Sequence, residues 1–320
     1  MAPHSAPHHP RRRGEPATNS EPSTNSGPTI NSGPMSSSGP TAVRQPQPES
    51  RYPVPVGPRR SASRASPRRE HARARRAYGQ NLLADPRAAR LLADIAVADP
   101  RLTVLEVGAG RGRLTTELLH RCRRVIAYEI DPDLATALPA HPRLTVRTGD
   151  FLAAKPPAAT FTVAGNIPYG LTSSVITWCL ESPALRRATL LTQWEYARKR
   201  TGDYGRWSRL TVLTWPEFTW TLAARVPATA FRPVPRVDGG VLVLDRREVP
   251  LVAPEHMPGY RRLVERGFTG VGGSLFATLS RDHGRQRTYA AFRACRLAED
   301  LPVGEVWPEQ WLTLFRLLSR

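Results

Sequence analysis

Short apolar stretches alternate with amphipathic ones between about residue 78 and residue 245. Apolar runs bounded by Gly, Asp, Glu or Asn predict strands at 102–107, 124–129, 144–147, 161–164, 188–192, 210–213, 218–222 and 241–244. Helical spacing of the apolar positions predicts helices at 87–96, 114–120 and 173–180. Strands that alternate with helices are typical of an open, doubly wound sheet, so the predicted fold class is α/β.

The two ends of the chain differ from this central part. After Leu244 the strand pattern stops, and amphipathic spacing predicts short helices at 261–268, 274–280, 288–293 and 309–318. Residues 1–70 are rich in Pro and Ser and have too few bulky apolar residues to bury a core, which predicts a disordered tail. The pattern therefore divides the chain into a tail (1–70), a sheet domain (71–245) and a helical domain (246–320).

Glycine and polar residues follow four successive predicted strands. The first strand runs into a glycine loop at 108–112, the second ends at Glu129, the third leads to Asp150, and the fourth ends in the tetrapeptide Asn166-Ile-Pro-Tyr169. Each feature alone is explained by a tight turn or a helix cap. Together they predict one ligand site, because ligands in open α/β sheets bind at the carboxyl ends of the strands.

The sequence of the glycine loop fits S-adenosylmethionine better than it fits NAD(P). Loops that bind NAD(P) usually read Gly-x-Gly-x-x-Gly, whereas position 113 is Arg in this chain. Glu106, which opens the loop, and the polar-Pro-aromatic order of the tetrapeptide both favour S-adenosylmethionine.

The tetrapeptide has groups suited to an exocyclic amine. Asn166 offers an amide oxygen, and Pro168 restricts Ile167 to an extended conformation, which directs the Ile167 carbonyl. Tyr169 offers a flat face for a purine, and Phe231 is a candidate for the opposite face. Adenine N6 is a poor nucleophile and a sulfonium methyl is already activated, so such a site needs positioning and polarisation more than a strong base. No catalytic Asp, Glu or His is predicted.

Taken together, the motifs resemble those of the rRNA adenine N6-methyltransferase family, and most of all the methylases of 23S rRNA that confer macrolide–lincosamide–streptogramin B resistance. The motifs are Gly79-Gln-Asn-Leu82, Glu106–Gly112, Glu129, Gly149-Asp-Phe151, Asn166–Tyr169 and Phe231–Val237. The resemblance covers residues 78–320. It implies a Rossmann-like class I methyltransferase sheet, S-adenosylmethionine as cofactor, and an adenine of 23S rRNA, protein-free or in an immature large subunit, as the target.

The resemblance also implies roles for single residues. The implied cofactor-binding set is Asn81, Leu83, Gly108, Gly110, Glu129, Asp150 and Asn166. In that set Glu129 holds the ribose hydroxyls, Asp150 holds the adenine amine, and Asn166 touches both cofactor and target amine. The implied catalytic set is Asn166, Ile167, Tyr169 and Phe231. Two positions depart from the family pattern: Leu82 stands where relatives often have Phe, and Gly239 stands close to where they have Ser.

The net positive charge of the chain also predicts a polyanionic partner. The chain has 320 residues, with 46 Lys and Arg against 27 Asp and Glu, and a net charge of +19. Residues 1–77 alone contain 13 Arg and 4 Glu, so a flexible basic arm that grips phosphate is an alternative to a solvated tail. A GC-rich genome would also raise the arginine number, but it would not explain how the charge is distributed.

Other functional classes are disfavoured. None of the 3 cysteines is in Cys-x-x-Cys spacing, so we expect neither a disulfide framework nor a metal site. No apolar run approaches the roughly 20 residues that cross a bilayer, and the N-terminus has no apolar signal core. We therefore expect a cytoplasmic monomer without membrane contact. The remaining rivals are a small-subunit (16S) rRNA dimethyladenosine transferase, a DNA adenine methylase, which usually has Asp in place of Asn166, and a non-catalytic RNA-binding or ribosome assembly factor.

Overall fold

The structure is a computed structural model that describes residues 81–319. The predicted tail at 1–70 and the first residues of the Gly79-Gln-Asn-Leu82 motif lie outside this range. Strands in the described range are β1 (Leu82–Leu83), β2 (Thr103–Val107), β3 (Arg124–Glu129), β4 (Leu144–Thr148), β5 (Phe161–Asn166), β6 (Leu185–Gln193), β7 (Phe218–Val226), β8 (Phe231–Arg232) and β9 (Gly239–Arg246). Helices in that range are α1 (Pro86–Ala96), α2 (Arg113–Leu119), α3 (Pro132–Thr136), α4 (Thr172–Glu181), α5 (Trp194–Arg200), α6 (Arg209–Thr214), α7 (Met257–Gly267), α8 (Leu275–His283), α9 (Arg285–Cys295) and α10 (Pro308–Leu318).

Seven strands form one mixed sheet in the order β4-β3-β2-β5-β6-β9-β7. The strands from β4 to β6 run parallel, whereas β9 pairs antiparallel with both β6 and β7. The central strand β5 is buried on both faces from Phe161 to Gly165, which explains its continuous apolar sequence. The carboxyl ends of β2, β3, β4 and β5 therefore share one edge of the sheet, as the sequence predicted.

A separate two-stranded ribbon joins distant parts of the chain beside this edge. Strand β1 pairs antiparallel with β8, so that Leu82 lies opposite Arg232 and Leu83 lies opposite Phe231. The backbone N–H groups of Ala84 and Asp85 also donate to the carbonyl of Ala230, at 2.8 and 3.0 Å. The segment that leads into α1 is therefore fixed by the Phe231 motif.

One predicted strand is wrong. Residues 210–213 lie in helix α6, not in a strand. The helix begins at Ser208, whose hydroxyl accepts a hydrogen bond from the Thr211 backbone N–H at 3.2 Å, as expected of an N-cap. Val212 is fully buried among the C-terminal helices, and the Tyr260 hydroxyl donates to its carbonyl at 2.8 Å. Tertiary packing therefore overrides the β-propensity of this short apolar run.

The C-terminal helices α7 to α10 build a second core. Its largest fully buried side chains are Trp311, Tyr260 and Phe292. Phe268 stacks on Trp311 with ring centroids 5.6 Å apart. The predicted helices in this region are confirmed, and β9, which ends at Arg246, is the last strand in the part of the chain that is described.

Candidate active site

The glycine loop is folded against the end of β3. Gly108, Gly110 and Gly112 have φ values of 68°, 57° and 75°, in the left-handed region that favours glycine. The Gly108 N–H donates to the Tyr128 carbonyl at 2.9 Å. The Gly110 N–H donates to Oε2 of Glu129 at 2.6 Å. The loop is thus held in a conformation that brings bare backbone to the edge of the sheet.

The Glu129 side chain is 1% exposed, and backbone N–H groups fix both of its oxygens. In addition to the bond from Gly110, its Oε1 accepts from the Asp131 N–H at 3.0 Å. Each carboxylate oxygen can accept more than one hydrogen bond, and Glu129 lines the cavity described below. Its position, one strand over from the glycine loop, is where doubly wound folds place a carboxylate for ribose hydroxyls.

Glu106 lies within β2 just before the glycine loop, and its carboxylate is buried. Burial raises its pKa to about 7; the nearby Thr115 hydroxyl opposes this shift and the Glu129 charge adds to it. Neither carboxylate oxygen has a donor with full hydrogen-bond geometry among residues 81–319. A buried acid without donors costs free energy, and it is suited to a ligand that brings its own N–H groups or positive charge.

Asn166 is the last residue of β5, and a contact with the ribbon orients its side chain. Its Nδ2 donates to the backbone carbonyl of Asn81 at 2.7 Å. A carbonyl only accepts hydrogen bonds, so the amide nitrogen must face Asn81. Oδ1 is therefore left as the atom available to a ligand.

Two adjoining cavities lie at this edge. The first is lined by Asn81, Leu82, Gly108, Gly110, Glu129, Asn166, Ile167, Pro168 and Tyr169. The second has Leu83, Glu106 and Ala109 in its wall and shares Leu82, Gly108, Gly110 and Asn166 with the first. The structure thus brings together most residues that the sequence predicted for one site.

Tyr169 also lines the first cavity. It is half-buried, and its hydroxyl is buried without a hydrogen-bond partner in the described chain. Burial, and secondly the charge of Asp238, raise the pKa of this hydroxyl. Ile167 beside it is fixed by the bond from its N–H to the Leu191 carbonyl, at 2.9 Å. The ring, rather than the hydroxyl, is therefore the part of Tyr169 equipped to contact a ligand.

The structure places two predicted site residues, Asp150 and Phe231, differently from the prediction. Asp150 is exposed at the end of β4, where its Oδ1 accepts from the Leu152 N–H at 2.9 Å, and it lines neither cavity. Phe231 is 1% exposed, so neither face of its ring is free in this conformation. The reason is packing around Gly239, where an added Cβ would lie 3.1 Å from the Phe231 ring. A stacking role for Phe231 stays a prediction that requires the ring to turn outward.

Leu82 and Pro168 line the first cavity, although the sequence analysis assigned neither of them a contact with a ligand. Leu82 also limits the glycine loop, because a Cβ at Gly110 would lie 3.0 Å from its Cδ2. The available sequence signal for both was position within a motif, since Leu82 follows Asn81 and Pro168 lies two residues after Asn166. At the end of α5, the Arg198 guanidinium lies 4.0 Å from the Tyr204 ring centroid.

Residues 81–319 contain no cluster of His, Cys, Asp and Glu that could hold a metal ion. No helix in the same range combines the length and the apolar character needed to cross a membrane.

Comparisons with known proteins agree with this geometry. The family model described as ribosomal RNA adenine dimethylase matches residues 71–320. An rRNA methyltransferase of Streptomyces thermotolerans is 50% identical over 263 residues, which cover 81% of this chain and 88% of that protein. An rRNA adenine N-6-methyltransferase of Streptomyces fradiae is 51% identical over 252 residues, which cover 77% of this chain and 79% of that protein.

A solved structure gives the same result at the level of the fold. The crystal structure of the 23S rRNA methyltransferase ErmE superimposes with a TM-score of 0.73 at 47% identity, covering 75% of this chain and all of that one. The predicted class I methyltransferase fold is thereby confirmed, and this fold and family imply S-adenosylmethionine as cofactor. The chain is a member of the ribosomal RNA adenine dimethylase family.

Proposed function

We propose that this protein transfers the methyl group of S-adenosylmethionine to N6 of an adenine in 23S rRNA, and that the modification confers macrolide–lincosamide–streptogramin B resistance. The observation that carries the proposal is the orientation of Asn166, whose Nδ2 is held by the Asn81 carbonyl so that Oδ1 can accept a hydrogen from an amine. The 47% identity to ErmE supports the choice of 23S rRNA. The RNA would be protein-free or part of an immature large subunit.

The two cavities fit the cofactor in chemistry. S-adenosylmethionine carries an ammonium group, ribose hydroxyls and an adenine, and when bound it supplies an electrophilic sulfonium methyl. Glu106 would face the ammonium end, because its carboxylate is buried and has no donor with full hydrogen-bond geometry among residues 81–319. Glu129 would accept the ribose hydroxyls, and Gly108 and Gly110 would offer backbone contacts.

Further cofactor contacts follow from the same arrangement. We assign Asn81 and Leu83 to the methionine end, because they lie on the ribbon that borders both cavities. Asp150 is assigned to the adenine amine. Its Oδ1 is used by the Leu152 N–H, and its exposed position at the neighbouring strand end leaves the carboxylate accessible.

The protein's part in the reaction is positioning and polarisation. Asn166 Oδ1 and the Ile167 carbonyl would accept the two N6 hydrogens, so that the nitrogen lone pair points at the methyl group. Tyr169 would stack the purine, with Phe231 on its far face after the ring turns outward. Extracting the base from its helix costs a few kcal/mol, and stacking returns about 1–3 kcal/mol for each aromatic ring.

The remaining parts of the chain are assigned to RNA contact. We propose that residues 71–245 form the methyltransferase domain and that 246–320 form a helical domain that binds RNA. The basic end of the 1–70 tail would add sequence-independent phosphate contacts. We further propose that the protein acts as a monomer in the cytoplasm.

Labelled methyl transfer tests the proposal directly. The protein is incubated with methyl-labelled S-adenosylmethionine and purified 23S or 16S rRNA, and the modified base is mapped by reverse-transcription stops. We expect label at one adenine of 23S rRNA, and a rate of labelling lower by about 10²–10³ with an Asn166→Ala control. Label only in 16S rRNA would favour the small-subunit dimethyladenosine transferase. Failure to bind the labelled cofactor would instead favour a non-catalytic factor on this fold.

A further inference from the structure

The edge of the sheet opposite the active site carries a cluster of arginines. An open cleft lies there, at the amino ends of β2, β3 and β4. Its lining includes Arg101, Arg123, Arg124 and Arg143, together with Thr103 and Thr145. We call it the amino-edge cleft. No acidic residue lines it within the described chain.

The backbone fixes these arginines close together. The Arg123 N–H donates to the Pro100 carbonyl at 2.8 Å, and the Val125 N–H donates to the Arg143 carbonyl at 2.9 Å. Arg124 lies opposite Thr103 in the register of β2 and β3. Neighbouring strands are about 4.8 Å apart, so the cluster spans two strand spacings. Arg124 lies within β3, and the other three arginines lie in the turns that lead into β2, β3 and β4.

Most of this charge is uncompensated. Arg101 is paired with Asp99, its Nη2 lying 2.8 Å from Oδ2. The Arg143 guanidinium donates to the Cys122 carbonyl at 3.1 Å, and it has no carboxylate partner among residues 81–319. Arg123 and Arg124 have no carboxylate within 4.0 Å among residues 81–319. A GC-rich genome explains the number of arginines in the chain, but not three guanidiniums without a carboxylate partner in one cleft.

The cleft is separate from the proposed active site. The residues that build that site lie at the carboxyl ends of the same strands, and five residues of β2 span about 17 Å at roughly 3.3 Å per residue. Strand β4 is the outer strand on this side of the sheet. A long ligand could therefore pass around β4 and contact both edges.

We propose that the amino-edge cleft binds backbone phosphates of an rRNA segment at a distance from the target adenine, an inference that rests on the proposed function. Guanidinium groups pair with phosphate through parallel N–H bonds and stay charged at any physiological pH. A contact of this kind adds affinity without sequence preference, and it weakens as salt rises. The separation of the two sites predicts that only RNA long enough to span them gains from it.

Two RNA substrates test this prediction. One is a short stem-loop that carries the target adenine, and the other has the same loop on a stem longer by at least one helical turn, so that it can reach beyond the length of β2, which is about 17 Å. The variant is Arg123→Gln/Arg124→Gln in the full chain. On the long RNA we expect KM to rise about tenfold with kcat unchanged. The magnitude of the slope of log affinity against log salt should fall by about 1.4–1.8, because two phosphate contacts are lost. On the short RNA we expect no change.

Two controls make the result specific. Arg123→Lys/Arg124→Lys keeps the charge, and should restore most of the salt slope. Arg90→Gln/Arg186→Gln removes the same net charge from helix α1 and strand β6, outside the cleft, where the side chains are 63% and 43% exposed, and it should leave both KM values near wild type. Equal losses on the two RNAs, or equal losses in the dispersed control, would overturn the proposal. Wild-type protein that methylates neither RNA would refute the proposed function instead.

Discussion

The contact between Asn166 and the Asn81 carbonyl makes a specific prediction about substitutions of Asn166. Asn166→Ala removes Oδ1, the proposed acceptor for the target amine, and also the 2.7 Å bond from Nδ2. Loss of one positioned polar group at a reacting centre costs roughly 10²–10³ in rate, or about 2.7–4 kcal/mol. We therefore expect kcat to fall by about that factor.

Cofactor affinity should fall much less in the same variant. Asn166 is one of nine residues that line the first cavity, and Glu129 and the glycine loop stay in place. Loss of a single hydrogen bond costs about 0.5–1.5 kcal/mol, which corresponds to a rise in Kd of up to about tenfold. Asn166→Asp keeps the shape of the side chain but replaces the donor Nδ2 with a carboxylate oxygen. That oxygen would lie 2.7 Å from the Asn81 carbonyl oxygen, so that two acceptors would face each other. We expect it to lose at least as much kcat as Asn166→Ala.

Single-turnover methyl transfer at saturating RNA measures the chemical step, and titration calorimetry measures cofactor affinity. The matched control is Asn81→Ala, which keeps the backbone carbonyl that orients Asn166. It should raise the KM for the cofactor more than it lowers kcat. The reasoning is refuted if Asn166→Ala retains kcat within threefold of wild type, or if Asn166→Asp is as active as wild type.

Three further predictions concern the walls of the site. Tyr169→Phe should be tolerated because the hydroxyl has no partner, whereas Tyr169→Ala should lower kcat/KM by about tenfold or more through lost stacking; equal losses in both would contradict this. The raised pKa of Glu106 means that cofactor-free protein loses stability as pH rises from 4.5 through about 7. Glu106→Gln should lack that loss. In urea unfolding, the free energy of unfolding of Glu106→Gln relative to wild type should therefore rise by about 3 kcal/mol between pH 4.5 and 8. A difference that stays constant with pH would count against the burial argument. Gly165→Ala should destabilise by about 1–3 kcal/mol, because its Cβ would lie 2.6 Å from the Val107 carbonyl oxygen; Gly170→Ala, with no atom within 4 Å of its Cβ, is the control in the same thermal unfolding assay.

The parallel part of the sheet could be predicted because burial leaves a strong local signal. Strands such as β5 are covered on both faces, so their sequences are nearly continuous apolar runs. The run at 210–213 has the same local character, yet it forms a helix. What decides between the two is a partner far along the chain, since Val212 packs with Tyr260 in the C-terminal core. No pattern confined to a few residues contains that information.

The active-site residues could be placed at one edge from the sequence, but their orientation could not. Strand-end motifs are local, and sheet topology brings them together. The exposure of Phe231 depends instead on how closely the chain packs at Gly239, where an added Cβ would also lie 2.8 Å from Leu191. The availability of Asn166 Oδ1 depends on the backbone of Asn81, which is distant in sequence.

The short ribbon of β1 and β8 links these two orientations. It places the Asn81 carbonyl against Asn166 and, through the same pairing, sets Phe231 opposite Leu83. Leu82, in the same ribbon, lines both cavities. Any movement of β8 that turned Phe231 toward a bound purine would therefore act through β1 on the group that orients Asn166. Stacking of the base and polarisation of its amine are thus expected to be energetically coupled, so that double substitutions at Phe231 and Asn166 should be non-additive.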